Sequence, residues 1–307
     1  MKKIITGMLL LSLCFLIPGI ATMIITGKTD GNRQQMGIRV ILKDGNEIDG
    51  EQFVIGMAAS ELSYIKEKEA LKAWMIVCRT NFLKAVGNEK KVKEQNLSLD
   101  YISMEEMKKN NGKKAWLELN NQLEEASEET FFQVLCYGKE LADALYHQVS
   151  IGKTVSAKEV YNISVPYLTG IDSSQDVESV DYMDIKLISY KECVKKLQKS
   201  GQKETEKTCK EELKIKKQTE NGYVQKVATG SNEWTGEEWK EIFGLNSTNF
   251  YLEDYGGRLR IVTMGKGHGM GMSLYGVNAL AEKGLKATTL LSYYYPGTSI
   301  RKWEKEK

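Results

Sequence analysis

The chain has 307 residues, of which 41% are hydrophobic and 27% charged, values typical of a globular protein with one large domain or two small ones. Its formal net charge is only +2, so no strong positive field indicates a nucleic-acid-binding protein. No internal repeat or long low-complexity tract occurs, which excludes solenoid and repeat-array architectures.

An uncharged, mostly apolar run opens the chain. Residues 4–25 follow Lys2 and Lys3, and a helix of this length, at ~1.5 Å per residue, crosses a ~30 Å hydrocarbon core. Lysines before such a run favour a cytoplasmic N-terminus. We therefore predict a single-pass anchor in the cell membrane at residues 1–28 and a linker at 29–35. A cleaved signal peptide is the alternative, and both interpretations place the rest of the chain outside the cytoplasm.

The cysteines leave one question open. Cys14 lies in the predicted anchor, and Cys78 and Cys136 lie among apolar residues, so these three are interpreted as small packed hydrophobic side chains. Cys193 and Cys209 stand sixteen positions apart in a polar region. A disulfide between them would stabilise the fold by ~3 kcal/mol in the chain-entropy model. Free thiols and a disulfide remain equal alternatives, because the sequence shows no geometry.

The next segments predict a β-ribbon and a closely packed helix. Residues 36–42 alternate apolar and polar side chains before the turn signal Asp44-Gly45. Residues 53–62 combine large apolar side chains at helical spacing with small ones that permit close approach. Glu61 stands near the end of this predicted helix. Partial desolvation there would raise the pKa of its carboxyl and suit it to donate a proton. A solvated charge at a helix end is the alternative.

Regular elements continue through the first half of the chain. The clearest helix has apolar residues at i, i+3, i+4 and i+7 and covers residues 67–86. A second helical region covers residues 103–127 with a break near 110–112, and residues 131–137 and 142–150 are predicted strands.

The predicted strand at residues 142–150 carries His147 and Ser150, and Gly152 and Lys153 follow it. Strands hold side chains rigidly and a glycine lets a ligand approach, so this strand end is a candidate binding site. A histidine that only completes a buried hydrogen bond is the alternative.

Residues 172–230 are predicted to be a variable, partly polar insert. Within them, residues 199–217 are rich in lysine and glutamate, which is typical of a solvated excursion. Hairpin turns are predicted at residues 221–222 and 256–257, and a capping box predicts a helix over residues 235–243.

A glycine cluster at residues 265–276 holds five glycines around His268, one of only two histidines. Ser273 is predicted to cap a helix that stops at Gly284. Unpaired N–H groups at a helix start favour electron-rich ligands, and glycines let such ligands approach the backbone. A tight connector, with His268 in a purely structural hydrogen bond, is the alternative.

Most common catalytic motifs are absent. With two histidines and no His-Glu-x-x-His motif, a metal hydrolase has little support, and we expect no metal and no cofactor. A Gly-x-Ser-x-Gly motif is also missing, and Gly152-Lys153-Thr154 lacks the earlier glycine of a phosphate-binding loop. Acid–base chemistry by one carboxyl remains, with Glu61 as the candidate.

Three blocks of the sequence, in order, resemble the stage II sporulation protein D (SpoIID) family and its SpoIID/LytB domain. The blocks are residues 53–62 with 69–74 and 78–80, residues 146–154 with 166–168, and residues 265–276 with 294–298. The resemblance spans residues 36–303, and residues 172–230 are its least recognisable part.

The resemblance implies a membrane-anchored lytic transglycosylase of peptidoglycan that acts in forespore engulfment during sporulation. Glu61 matches the family's catalytic glutamate. It would protonate the glycosidic oxygen between N-acetylmuramic acid and N-acetylglucosamine. It would then take the proton of the muramoyl C6 hydroxyl, which closes an anhydro ring. The predicted substrate-binding residues are His147, Ser150, Gly152, Lys153, Gly267, His268, Gly269, Gly271, Ser273 and Tyr275.

The chain differs from the family pattern at three places. Ser63 and Tyr64 stand where relatives usually have a proline, Lys266 stands where they often have an aromatic residue, and Ile151 where they often have a glycine. These differences bear on the substrate preference and not on the predicted reaction.

Together the elements predict an α+β fold, in which a transmembrane helix precedes one domain of helices and antiparallel strands, residues 36–307, with a substrate cleft. The expected partners are peptidoglycan glycan strands, the membrane, other engulfment proteins and a cell-wall amidase, but not nucleic acid. The alternative function is a glycan-binding scaffold with weak catalysis that activates the amidase.

Overall fold

The computed structural model describes residues 34–199 and 204–304. The predicted anchor, residues 1–28, and most of the predicted linker, residues 29–35, lie outside these ranges. No helix within the described ranges combines the length and the apolar character that crossing a membrane requires.

The described chain divides into two compact units. The first unit contains residues 34–60 and 82–132, and the second contains the other described residues, 61–81, 133–199 and 204–304. Both contain helices and strands, so the prediction of a mixed fold with antiparallel sheets is confirmed.

The α-helices are numbered along the chain. They are α1 (Gly50–Ala59), α2 (Lys68–Val86), α3 (Met104–Asn111), α4 (Lys113–Glu129), α5 (Ala157–Tyr161), α6 (Tyr190–Lys199), α7 (Glu206–Glu211), α8 (Gly236–Phe243), α9 (Leu274–Glu282) and α10 (Ala287–Tyr294). Short 3-10 turns cover Glu94–Asn96 and Ser174–Glu178.

The strands are numbered in the same way. They are β1 (Arg39–Ile41), β2 (Glu47–Asp49), β3 (Lys91–Lys93), β4 (Gln133–Tyr137), β5 (Glu140–Leu141), β6 (Tyr146–His147), β7 (Met183–Ser189), β8 (Lys214–Gln218), β9 (Val224–Thr229), β10 (Asn232–Thr235), β11 (Phe250–Tyr255), β12 (Arg258–Met264), β13 (Met272–Ser273) and β14 (Ser299–Lys302).

In the first unit a small sheet leads directly into helix α1. Strand β1 pairs antiparallel with β2 and parallel with β3, and Asp49 at the end of β2 caps α1 by accepting the N–H of Glu51 at 3.0 Å. A Cβ on Gly56 would lie 2.2 Å from a ring carbon of Tyr101, and the Gly56 carbonyl accepts the N–H of Ile102 at 3.2 Å. The small residues of α1 therefore permit close packing, as predicted.

The first unit also contains a cavity of about 250 Å³. Its walls include Asp49, Glu51 and Glu124, and Ser127 donates to a Glu51 oxygen at 2.6 Å. None of the predicted site residues lines this cavity, so it plays no part in the site described below.

The second unit contains four small sheets. Strands β11, β12 and β7 form an antiparallel sheet, as do β10, β9 and β8 and also β14, β4 and β5, while β13 and β6 form a parallel pair. The predicted hairpins at residues 221–222 and 256–257 connect β8 to β9 and β11 to β12, and the predicted capping box at Thr235 begins α8. These predictions are confirmed.

The prediction that residues 199–217 are only a solvated excursion is wrong in part. Helix α7 lies inside this stretch and buries Cys209 in a core with Cys193, Trp234 and Trp239. Composition misses this packing because a short amphipathic helix needs only one buried face. Both cysteines are free, and inside that core the Cys193 thiol donates to the sulfur of Cys209.

The predicted strand at residues 142–150 is also wrong in extent, since only Tyr146–His147 forms a strand, with an isolated bridge at Val149. Asp143 breaks the ladder: its carbonyl accepts the N–H of Leu145 at 2.9 Å, and its N–H donates to the hydroxyl of Tyr167 at 2.8 Å. One local bond and one tertiary bond thus stand where strand pairing was expected.

Candidate functional site

Glu61 lies on a turn just after helix α1 rather than on the helix itself. Ser60 ends the helix, because its N–H and its hydroxyl both donate to the Met57 carbonyl, at 3.2 and 2.7 Å. The N–H of Tyr64 then donates to the Glu61 carbonyl at 3.1 Å and closes the turn. Glu61 was predicted near the end of this helix and lies two residues beyond its last residue, Ala59. Its side chain is half-buried, which agrees with the predicted partial desolvation.

Gln148 holds the carboxyl of Glu61. Its amide nitrogen Nε2 donates to Glu61 Oε1 at 2.7 Å, across 87 positions of sequence. Sequence reasoning missed this residue, although it follows His147 directly. Because neighbouring side chains of an extended segment point to opposite sides, a residue beside the buried His147 was a candidate for the exposed side.

The structure brings the two histidine segments together. Strands β6 and β13 pair in parallel, with His147 opposite Ser273, and the main chains of Val149 and Lys266 exchange hydrogen bonds of 3.1 and 2.7 Å. The ring centres of His147 and His268 are 6.0 Å apart. The prediction that both loops contribute to one site therefore agrees with their placement.

Both imidazoles bind the main chain of Met270. His147 is 1% exposed and its Nδ1 donates to the Met270 carbonyl at 3.0 Å, while its Nε2 has no hydrogen-bond partner among the described residues. The Met270 N–H donates to Nδ1 of His268 at 3.1 Å. Burial lowers the pKa of each histidine to about 4, so both rings are neutral at pH 7.

The glycine cluster at residues 265–276, called the glycine loop from here on, makes close contacts with other protein atoms. A Cβ on Gly269 would lie 2.0 Å from the Tyr223 hydroxyl, and one on Gly271 would lie 1.9 Å from the Leu145 carbonyl oxygen. Both residues also have positive φ values, of +78° and +70°. These two predicted binding residues are buried and approach neighbouring segments of the chain.

A buried carboxylate, Asp176, connects the two histidine segments. It accepts the N–H of Ser150 at 2.6 Å, the hydroxyl of Ser273 at 2.6 Å and that of Ser173 at 3.1 Å. Burial raises its pKa, and these hydrogen bonds oppose that shift. Ser273 also caps α9 as predicted, by accepting the N–H of Gly276 at 3.1 Å. Sequence reasoning missed Asp176, because it lies in the stretch interpreted as a variable insert.

Lys266 and Tyr64, two of the positions that differ from the family pattern, both bind Asp181. The Tyr64 hydroxyl donates to Asp181 Oδ2, and Lys266 Nζ lies 3.3 Å from the same oxygen. The hydrogen bond from Tyr64 holds the pKa of Asp181 below its usual value. This triad links the turn that carries Glu61 to the glycine loop.

The remaining predicted binding residues lie at or near the surface. Gly152, Gly267 and Tyr275 are half-buried, and Lys153 is exposed in an isolated bridge opposite Asp172. Across residues 34–199 and 204–304, no three His, Cys, Asp or Glu side chains are arranged to hold a metal ion.

Comparison with known proteins finds one family. The SpoIID family model, described as a stage II sporulation protein, matches residues 41–137. Stage II sporulation protein D of Bacillus subtilis (strain 168) is 30% identical over 258 residues, covering 81% of this chain and 74% of that protein. The protein of the same name from Bacillus amyloliquefaciens is 29% identical, covering 81% and 73%. A protein named amidase enhancer, from Bacillus subtilis (strain 168), is 25% identical, covering 80% of this chain and 40% of its own length.

Proposed function

Since this chain belongs to the SpoIID family of sporulation proteins, we propose that it is a peptidoglycan lytic transglycosylase with Glu61 as its catalytic acid. The observation that carries the proposal is the hydrogen-bonded, half-buried carboxyl of Glu61 in the same compact unit as the paired histidine segments. A carboxyl in this setting is suited to proton transfer.

In the proposed reaction Glu61 acts twice. As an acid it protonates the oxygen that links muramic acid C1 to the next N-acetylglucosamine, and that bond breaks. As a base it then takes the proton of the muramoyl C6 hydroxyl, whose oxygen forms the new bond to C1. Glu61 ends in its starting state, so the reaction needs neither water nor a second carboxylate.

The histidine segments would orient the sugar. His268 accepts the Met270 N–H at Nδ1 and is neutral, so its Nε2 carries a proton and can donate to a hydroxyl or N-acetyl oxygen. The buried His147 fixes the carbonyl of the same residue. Half-buried Gly267 and Tyr275 would line the substrate cleft beside His268.

We further propose that residues 4–25 anchor the protein in the cell membrane with the two compact units outside, where peptidoglycan lies. This location follows from the uncharged run and the two lysines before it. Action in forespore engulfment is part of the same proposal.

The first test substitutes Glu61→Gln, which keeps the shape of the side chain and removes its acid. General acid catalysis contributes about 10²- to 10⁴-fold, so we expect glycan cleavage to fall by at least about 10²-fold. Mass spectrometry of the products from purified glycan strands checks both the rate and the presence of anhydro ends.

Glu67→Gln is the matched control, because Glu67 is also half-buried and lies six residues further on. It should cleave like the wild type. Full activity of the Glu61→Gln variant would remove Glu61 from the mechanism, and reducing ends without anhydro rings would indicate a hydrolase instead.

The second candidate function is a glycan-binding scaffold that activates a cell-wall amidase. The similarity to the protein named amidase enhancer favours it. In that case the Glu61→Gln variant would still bind glycan strands and still accelerate an added amidase, and the wild type would release no anhydro products.

A further inference from the structure

The side chain of Gln148 donates a hydrogen bond to the proposed catalytic acid, Glu61. Its Nε2 lies 2.7 Å from Glu61 Oε1. An amide nitrogen donates and does not accept, so Oε1 must accept this bond in both charge states of the carboxyl. The bond can therefore form with both the protonated and the ionised carboxyl.

We propose that Gln148 is a positioning residue: by binding Oε1 of Glu61 it orients the carboxyl that delivers the proton and takes it back. This inference rests on the proposed function. The same bond persists through both steps, because Oε1 accepts it whether Glu61 is protonated or ionised.

The backbone around Gln148 is fixed on both sides. The N–H of Tyr275 donates to the Gln148 carbonyl at 3.0 Å. On one side His147 pairs with strand β13, and on the other Val149 exchanges two hydrogen bonds with Lys266. One residue further, the N–H of Ser150 binds the buried carboxylate of Asp176 at 2.6 Å. A side chain on such a backbone holds its partner with little loss of conformational entropy on binding.

Several ionisable groups of the second unit are common to all the variants described below. Tyr64, Asp181 and Lys266 bind one another, so each partner is compensated within that triad. His147 and His268 are neutral above a pKa of about 4. These groups are unchanged in the variants below, so a difference between two variants of Gln148 reports on the contact with Glu61.

The test compares Gln148→Asn and Gln148→Glu in the full-length protein. Asparagine keeps the amide but withdraws it by one methylene, which breaks the bond to Oε1. We expect kcat to fall about 10- to 100-fold, the cost of a misplaced catalytic group, while KM stays within about twofold. Gln225→Asn is the matched control, since Gln225 is a half-buried glutamine on strand β9, and it should behave like the wild type.

Gln148→Glu tests the polarity of the bond. At neutral pH two carboxylates face each other and cleavage should fall at least as far as in Gln148→Asn. As the pH falls, one carboxyl gains a proton and its O–H can donate in place of the amide. Cleavage by Gln148→Glu, relative to Gln148→Asn, should therefore recover toward acidic pH.

An NMR titration of Glu61 tests the contact with Gln148 without any substrate. We expect the ¹³Cδ resonance of Glu61 to titrate at a higher pH in Gln148→Asn than in the wild type, because a lost donor no longer favours the charged form. Equal titration curves, an unchanged kcat in Gln148→Asn, a loss confined to KM, or no acidic recovery of Gln148→Glu would each overturn the proposal. A wild type that cleaves no glycan overturns the proposed function instead, and the titration then still decides whether Gln148 holds Glu61.

Discussion

At the residue scale, one backbone position organises both histidines. The carbonyl of Met270 accepts a hydrogen bond from His147, and its N–H donates one to His268. His147 therefore carries its proton on Nδ1, and His268 carries its proton on Nε2. Burial keeps both rings neutral. A neutral imidazole can donate or accept a hydrogen bond to a sugar, but it cannot serve as a general acid at pH 7. In the proposed mechanism the acid is therefore Glu61 rather than a histidine.

Burial of neutral His147 also makes the stability depend on pH. Its pKa is about 4 in the folded state and ~6.5 in an unfolded chain. The unfolded chain therefore binds more protons between these values, and the folded state loses stability as the pH falls through them. For one fully buried histidine the loss between pH 7 and pH 4 is about 3 kcal/mol.

The measurement is urea-induced unfolding at a series of pH values for the wild type and His147→Phe. We expect the variant to lack about 3 kcal/mol of the acid-dependent loss, as it has no imidazole to protonate. The ring signals of wild-type His147 in NMR should titrate near pH 4. Titration midpoints near the ordinary histidine pKa of ~6.5 would contradict the burial of this ring in the structure.

At the element scale, the glycine loop is a packed connection between β12 and α9. Its glycines permit contacts that a Cβ would block, at Gly269 with Tyr223 and at Gly271 with Leu145. The loop is thereby held against β6, which carries His147, and its start lies beside Gln148. The sequence suggested glycines that let a ligand approach, whereas at these two positions the close approach is to the protein itself.

Gly271→Ala should disrupt this connection. The new Cβ would meet the Leu145 carbonyl oxygen at 1.9 Å, and φ is +70°, so we expect a loss of about 3 kcal/mol or more in the free energy of unfolding. Gly256→Ala is the control, because Gly256 also has a positive φ, of +60°, but open space at its Cβ position.

The control should lose only about 1–2 kcal/mol in the free energy of unfolding, which is the cost of the left-handed backbone. Thermal or urea unfolding of both variants measures the difference. Equal losses in the two variants would contradict the tight contact with Leu145.

At the scale of the whole molecule, the proposed substrate requires a location outside the cytoplasm. The described residues form two compact units and contain no helix suited to span a membrane. The proposed anchoring role rests on residues 4–25, an uncharged run after two lysines.

Membrane fractionation tests the anchor. We expect the full-length protein to stay in the membrane pellet after an alkaline carbonate wash, because about 20 apolar residues insert stably. A variant without residues 4–25 should appear in the supernatant. Release of both proteins would contradict an integral anchor, and a shortened mature chain would indicate a cleaved signal peptide.

Local signals in the sequence predicted much of the fold. The hairpin turns at residues 221–222 and 256–257, the capping box at Thr235 and the N-cap at Ser273 were all predicted and all formed. Each depends on residues within a few positions of one another. The strand at residues 142–150 failed because Tyr167, far along the chain, binds Asp143 and breaks the expected ladder.

The sequence by itself determined the candidate acid Glu61, the two histidine segments and the family, because these are patterns of neighbouring residues. Only the tertiary structure decided which side chain holds that acid and which carboxylate connects the two segments. Gln148 reaches Glu61 across 87 positions, and Asp176 binds Ser150 and Ser273 from a stretch that the sequence presented as a polar insert. Burial decided the charge of both histidines. Burial and long-range hydrogen bonds depend on how distant segments pack, and no local pattern encodes that packing.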